Sequence, residues 1–268
     1  MPRTTRRRDA ARSSESYRKD AKHADPAGRQ SPALKNHLLA ALPAEDFSRI
    51  EPLLEPVSCK TGQILYEPNK RIDYAYFPTT TVVSLLYIME NGSSISVSVT
   101  GNDGMIGVAP FMEAETVPNE AIVQCPGEAF RIRYRELEKE FRQGGVLQTL
   151  LLRFTMALLD QTAQTAACNR LHSIEKQFCR WLLLTHDRLD SDTLRITHEL
   201  IAGLLGVSRE AVTLAVKKLK QKRLIKSVRG NITIIDRKGM EAVVCECYRR
   251  INVEYDRLLG RGISRTFK

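Results

Sequence analysis

The run "ITHELIAGLLGVSREAVTLAVKKL" leaves the chain little conformational freedom. Thr197 suits a helix N-cap, because its hydroxyl can accept from an otherwise unpaired backbone N–H. Leu200, Ile201, Leu204 and Leu205 then share one helical face. Gly206 stops that helix in a left-handed turn that glycine alone adopts cheaply. Ser208 caps a second helix two residues later. On a helical wheel Ser208, Val212, Ala215, Val216 and Leu219 share one arc, which predicts the core face. Glu210, Thr213, Leu214, Lys217 and Gln221 fall opposite. Two helices joined by a short glycine turn can project the second into a DNA major groove. The sequence therefore predicts a reading helix over 208–221, with Leu214 pointing outward.

The next segment, "LIKSVRGNITIIDRKG", predicts short strands over 224–228 and 232–235 around a tight "RGN" turn. A hairpin there is a wing, and Arg229 at its tip suits a phosphate. Asp236 is expected to cap one last helix, "MEAVVCECYRRINVEYDRLL". Charge agrees with a nucleic-acid partner: 41 Lys and Arg stand against 31 Asp and Glu, a formal +10. Residues 195–229 hold nine basic and two acidic side chains, and residues 1–30 nine and four. Residues 1–32 have almost no large apolar side chains and read as a disordered basic tail.

Upstream of the helices the hydrophobic period is two. After a short helical pattern between Leu34 and Leu54, strands are expected over 63–66, 74–77, 82–89, 94–100, 121–125 and 128–134. "SISVSVT" alternates strictly, as a half-buried strand does. Turn signals such as "ENGS", "TGNDG" and "CPGE" separate the runs, so a β-sandwich or small barrel is expected. Beyond Arg135 the period returns to helical. Val146, Leu147, Leu150, Leu151, Phe154, Leu158 and Leu159 form a stripe wider than one barrel needs, which predicts a dimer seam over 146–165. A second helix follows, with Ile174, Phe178, Trp181, Leu182 and Leu184 inward.

A β-rich unit, a long helix, then "THELIAGLLGVSREAVT" and a wing resembles the Crp/Fnr family of bacterial transcription regulators, over residues 45–240. "LGVSREAV" carries the likeness most strongly. The fold class is then α+β. The resemblance implies a cyclic-nucleotide-binding-like sensor domain over 33–141, a β-roll or jelly roll, and a dimerisation helix over 142–170. A winged helix-turn-helix DNA-binding domain over 171–240 and a C-terminal helix and tail over 241–268 complete it. It implies a homodimer on double-stranded DNA with a two-fold symmetric operator, and RNA polymerase as a further candidate partner. Thr197 and Ser208 would touch phosphates, and Arg209 and Glu210 would read bases. The best-known members have a third reader, an arginine, where this chain has Leu214. Thr213, Lys217 and Arg229 complete the expected DNA-binding set.

Cyclic-nucleotide-binding members carry Gly-Glu and, some ten residues on, Arg-Ser. The glutamate holds the ribose hydroxyl and the arginine pairs with the cyclic phosphate. In "GMIGVAPFMEAETVPNEAIV" Val108 follows Gly107, and the Arg-Ser place falls at Asn119 and Glu120. Met105, Gly107, Val108, Asn119 and Glu120 are the expected effector pocket, but cyclic AMP bound by the usual contacts is not expected. The effector is left unnamed and no cofactor is implied.

No run of 18 apolar residues predicts a membrane span, and the Arg-rich start lacks the apolar core of an export signal. The six cysteines, Cys59, Cys125, Cys168, Cys179, Cys245 and Cys247, form no framework, as in a reduced cytoplasmic protein. None precedes Cys59, so the clustered N-terminal cysteines of iron–sulfur members are missing. Cys245 and Cys247, placed on the last helix at i and i+2, would point apart and share no ion. Cys168 and Cys179 read as inert buried thiols. His23, His37, His172, His186 and His198 show no ligand spacing, so no metal site is predicted. Without a phosphate loop, an H-E-x-x-H or a nucleophile elbow, no catalytic residue and no enzyme are expected. The competing reading is a ligand-binding module whose winged helix contacts protein, and the basic charge of 195–229 favours DNA.

Overall fold

A computed structural model describes residues 31–260, so the basic residues of the expected tail, and His23, lie outside the described residues. The fold is α+β. Two antiparallel sheets face each other. One runs β1 (Glu55–Cys59), β7 (Gly127–Arg133), β3 (Tyr74–Pro78). The other runs β2 (Ile64–Tyr66), β6 (Glu120–Cys125), β4 (Val82–Ile88), β5 (Ser94–Thr100). Cys59, Val83, Ile106, Ala121, Val123 and Ala129 pack together between them. β1 escapes a pattern search because Glu55, Pro56 and Ser58 interrupt its apolar rhythm, and proline is tolerated there because β1 is an edge strand.

The helical pattern between Leu34 and Leu54 is broken into pieces, with α1 (His37–Ala40) and α2 (Ala44–Ile50) as its α-helical parts. Asn36 fixes them to the sheets. Its side-chain amide donates to the Pro78 and Gly104 carbonyls at 2.8 Å each, while its Oδ1 caps α1. β5 is a strand as expected, but not a half-exposed one. Ser96, Ser98 and Thr100 are buried, because the long helix covers the strand and Gln161 donates to the Val99 carbonyl at 3.0 Å.

After α3 (Tyr134–Arg142), α4 runs for 27 residues, Gly145–Leu171. Leu147, Leu150, Leu151, Phe154, Leu158, Gln161, Thr165 and Cys168 are its inner face. This corrects the expected seam. Leu151 and Phe154 are 1% and 0% exposed within a single chain, so they cannot also meet a second copy. Leu152, Met156 and Leu159 face outward along its middle, and Leu171 does so at its last turn.

α5 (Ile174–His186) is buried on every side from Gln177 to Thr185 and is the hub of the C-terminal half. Around it lie α6 (His198–Leu205), α7 (Arg209–Gln221), α8 (Arg237–Val243) and α9 (Glu246–Leu259). A three-stranded sheet orders β8 (Thr193–Arg195), β10 (Asn231–Ile234) and β9 (Ile225–Val228). β8 is too short to show a period.

The expected single last helix is two. Val244 and Cys245 are extended, with ψ of 160° and 161°, after the β-branched pair Val243 and Val244. Cys245 is therefore the N-cap of α9 and not a helical residue. The i, i+2 argument that set Cys245 and Cys247 apart does not apply. α9 then packs along α4, where Tyr255 stands edge-on to Phe154 and donates to Gln161 at 2.9 Å. Among the described residues no helix is long and apolar enough to cross a membrane.

Candidate nucleic-acid interface

Both helix starts are capped by the residues the sequence names. Thr197 Oγ1 accepts from the Leu200 N–H and Ser208 Oγ from the Ala211 N–H, each at 3.2 Å. Ser208 is exposed and leaves the core arc given by the wheel. Its backbone is extended (ψ 153°), so helical angular spacing does not reach it. Gly206 has φ of +64°, and a Cβ there would stand 3.1 Å from Ile95 of β5. The glycine thus serves both the turn and the seat of α6 on the sheet that holds β5.

α7 has two faces. Val212, Ala215, Val216 and Leu219 are buried, while Arg209, Glu210, Thr213, Leu214, Lys217 and Gln221 are exposed. Leu214 is 54% exposed. Thr213 is held: its hydroxyl donates to the Arg209 carbonyl at 2.9 Å and meets His198 Nδ1 at 3.2 Å. With the hydroxyl proton already committed, His198 Nδ1 is the donor in that pair. Partial burial, and then the Arg209 charge, hold the His198 pKa below its ordinary value.

The lysines of this helix are sorted by face. Lys218 and Lys222 converge on Glu175 of α5 at 3.6 and 2.5 Å, and clamp α7 to the hub. The Lys222 hydrogen bond is the largest reason that Glu175 lies below the usual carboxylate range. Arg209, Lys217 and Arg229 make no ion pair among the described residues. Arg229 is exposed at the tip of the β9–β10 hairpin. Its φ of 42° and that of Gly230, 76°, form the left-handed two-residue turn that matches strand twist.

Residues 56–143 match the cyclic nucleotide-binding domain family, and residues 176–243 match the Crp-like helix-turn-helix domain family. The chain belongs to the Crp/Fnr regulators. This regulator is 23% identical over 183 residues to the global nitrogen regulator of Nostoc sp., covering 65% of this chain and 82% of the relative. Its fold is similar to that of a Crp/Fnr-family transcriptional regulator from Eubacterium rectale, with a TM-score of 0.60 at 19% identity over 79% of this chain and 97% of that one. The c-di-GMP responsive global regulator CLP of Xanthomonas campestris is similar at a TM-score of 0.56, with 17% identity over 72% of this chain and 99% of that one. The helix-turn-helix of this Crp/Fnr regulator is its DNA-binding domain.

The five expected effector residues do not converge. Ala121 faces the sandwich interior, so its neighbour Glu120 faces the other way, beside Ile122, Thr197 and Leu200. Burial, and then the Glu67 charge, push the Glu120 pKa up. Asn119 accepts from the Tyr66 hydroxyl at 2.8 Å. Met105 joins the core that contains Phe154, and Val108 packs at its edge. Gly107, at φ of +95°, lies 3.2 Å by its Cβ position from the Tyr74 carbonyl. Cys59, Val83, Ile106, Ala121, Val123 and Ala129 form the apolar cluster between the sheets, and Arg131, paired with Tyr76 across β3 and β7, stands at its edge.

The sequence reading also missed a cluster at the far end of α4. Ligand atoms of Cys168, His172, Cys245 and Cys247 all lie within 4.8 Å of one another. A Cys-x-Cys pair straddling a helix start, rather than inside a helix, is the signal that would have found it.

Proposed function

We propose that this Crp/Fnr regulator is a cytoplasmic, non-enzymatic homodimer that reads a two-fold symmetric operator with the exposed face of α7. The observation that carries it is the sorting of charge on that helix. Lys218 and Lys222 are engaged on Glu175, while Arg209, Glu210, Leu214 and Lys217 face outward with no ion pair among the described residues. In this reading Thr197, Ser208, Lys217 and Arg229 hold phosphates, Arg209 takes a guanine edge, and Glu210 accepts from a cytosine amino group. Leu214, without a donor, packs on a thymine methyl. The dimer seam is the outward stripe of Leu152, Met156 and Leu159, spaced as one face of a coiled coil. RNA polymerase is the further partner of such a regulator.

Cyclic AMP held by the usual contacts does not belong to this reading. Val108 offers no carboxylate to a ribose, and Glu120 faces α6 and not the space between the sheets. Selection of randomised DNA with the purified protein tests the whole. Enrichment of an inverted repeat supports it, and enrichment of no sequence sinks it. Calorimetry against cyclic AMP tests the effector part, which micromolar affinity would overturn.

A further inference from the structure

We propose that Cys168, His172, Cys245 and Cys247 form a closed structural site for one zinc-class divalent cation. The site ties the C-terminal end of α4 to the start of α9. Cys168 is in the last turn of α4, and His172 is the residue that ends the helix. Cys245 caps α9 and Cys247 is in its first turn. Three thiols and one imidazole from two distant parts of the chain thus meet at one point.

The spacing fits a single tetrahedral ion. Zinc bonds of the usual lengths imply edges of about 3.8 Å between sulfurs and about 3.6 Å from sulfur to nitrogen. The Cys168 and Cys245 sulfurs are 3.6 Å apart, and Cys247 Sγ is 3.5 Å from His172 Nδ1. With all four ligand atoms inside 4.8 Å, the set is too tight to embrace an iron–sulfur cube. Three soft thiolates and an imidazole exclude magnesium and calcium as partners.

The surroundings are those of a metal site. His172 turns Nδ1 to the sulfurs, and its Nε2 is 3.4 Å from the Glu246 carboxylate, which would fix the tautomer and orient the ring. Gln164, one turn before Cys168, donates to the Cys247 sulfur at 3.1 Å. Charge points the same way. Three thiolates and a neutral imidazole around a divalent ion sum to one negative charge. Arg180 lies within electrostatic reach of Cys168, is 4% exposed, and makes no ion pair with a carboxylate among the described residues. Its Nη1 donates to Thr165, and its Nε has no partner. A buried guanidinium of this kind calls for a nearby anion, and the loaded site would be one. Cys168, Cys245 and Cys247 are each at most 3% exposed, so the site has no open position for a substrate and is structural.

Its place gives it a consequence. α5 begins two residues after His172, so the ion would hold the junction at which the long helix passes into the DNA-binding domain. The test uses the full chain, reduced and stripped with a chelator, then titrated with Co²⁺ alone. The expected result is saturation at one ion per chain, with the intense visible bands of tetrahedral cobalt and a sulfur-to-cobalt charge-transfer band, all bleached by Zn²⁺. Cys245→Ser should weaken the charge-transfer band, whereas Cys179→Ser, a buried thiol outside the cluster, should leave it intact. Glu246→Gln should lower affinity about tenfold. Should Cys245→Ser fail to fold, the parent titration and Glu246→Gln still decide. Absence of tetrahedral bands in the parent would overturn the site. So would equal bands in the parent and a folded Cys245→Ser. A chain that under native mass spectrometry carries a Cys168–Cys245 disulfide and takes up no metal would overturn it too.

Discussion

Leu214 is the exposed apolar residue on the outward face of α7. Its side chain is 54% exposed on the outward face of α7, and isobutyl can gain only from apolar surface. In a major groove that surface is the thymine methyl. Leu214→Arg should shift preference toward guanine at one position per half-site, by about 1–3 kcal/mol. Selection on randomised half-sites reads this directly, and identical enrichment for parent and variant refutes the role. Lys217→Ala should instead weaken all sequences alike and lower the salt slope by about one, measured by titration at several salt concentrations. Ser208→Ala removes the acceptor for the Ala211 N–H at the start of α7. It should cost about 1 kcal/mol in denaturant unfolding.

α4 is the element on which two functions compete for apolar side chains. Phe154 and Leu151 serve the chain's own core, whereas Leu152, Met156 and Leu159 face out. The two sets should separate experimentally. Phe154→Ala should lower stability by about 3–5 kcal/mol without itself splitting a dimer. Leu152→Glu with Leu159→Glu should leave the fold intact and give monomers in sedimentation, with loss of operator affinity. A double variant that stays dimeric places the seam elsewhere. The sequence showed one broad stripe here because side chains facing the sheet and side chains facing solvent are equally apolar. Periodicity measures the width of a stripe and cannot divide it between partners.

At the scale of the molecule the DNA-binding half is joined to the N-terminal sheets by polar contacts, of which Arg188–Asp103 and Gln124–Thr185 are buried. Arg188, just past α5, meets Asp103 at 2.6 Å, with side chains 3% and 6% exposed. Gln124 of β6 donates to Thr185 of α5 at 2.9 Å, and Ser94 of β5 donates to the Gly203 carbonyl of α6 at 3.1 Å. Asp103→Ala leaves a buried guanidinium unpaired and should cost about 3–5 kcal/mol in chemical denaturation, more than the pair contributes as a net stabiliser. A loss below about 1 kcal/mol would show that water reaches Arg188.

The sequence by itself determined the features that rest on neighbouring residues. The caps at Thr197 and Ser208, the left-handed glycine at 206, the two-residue turn at Arg229 and Gly230, and the strand over Ser94–Thr100 each follow from local backbone chemistry. The outward aim of Leu214 belongs with them, because an uninterrupted helix fixes angular position from spacing alone. Only the tertiary structure decided what depends on distant partners or on a broken period. The packing of α6 against β6 decides that Glu120 meets Thr197 and Leu200. The extended pair Val244 and Cys245 interrupts the last helix and carries two thiols to a third, on α4, 77 residues upstream of Cys245. Side chains that far apart are joined by the path of the chain in space, and no local pattern encodes that path.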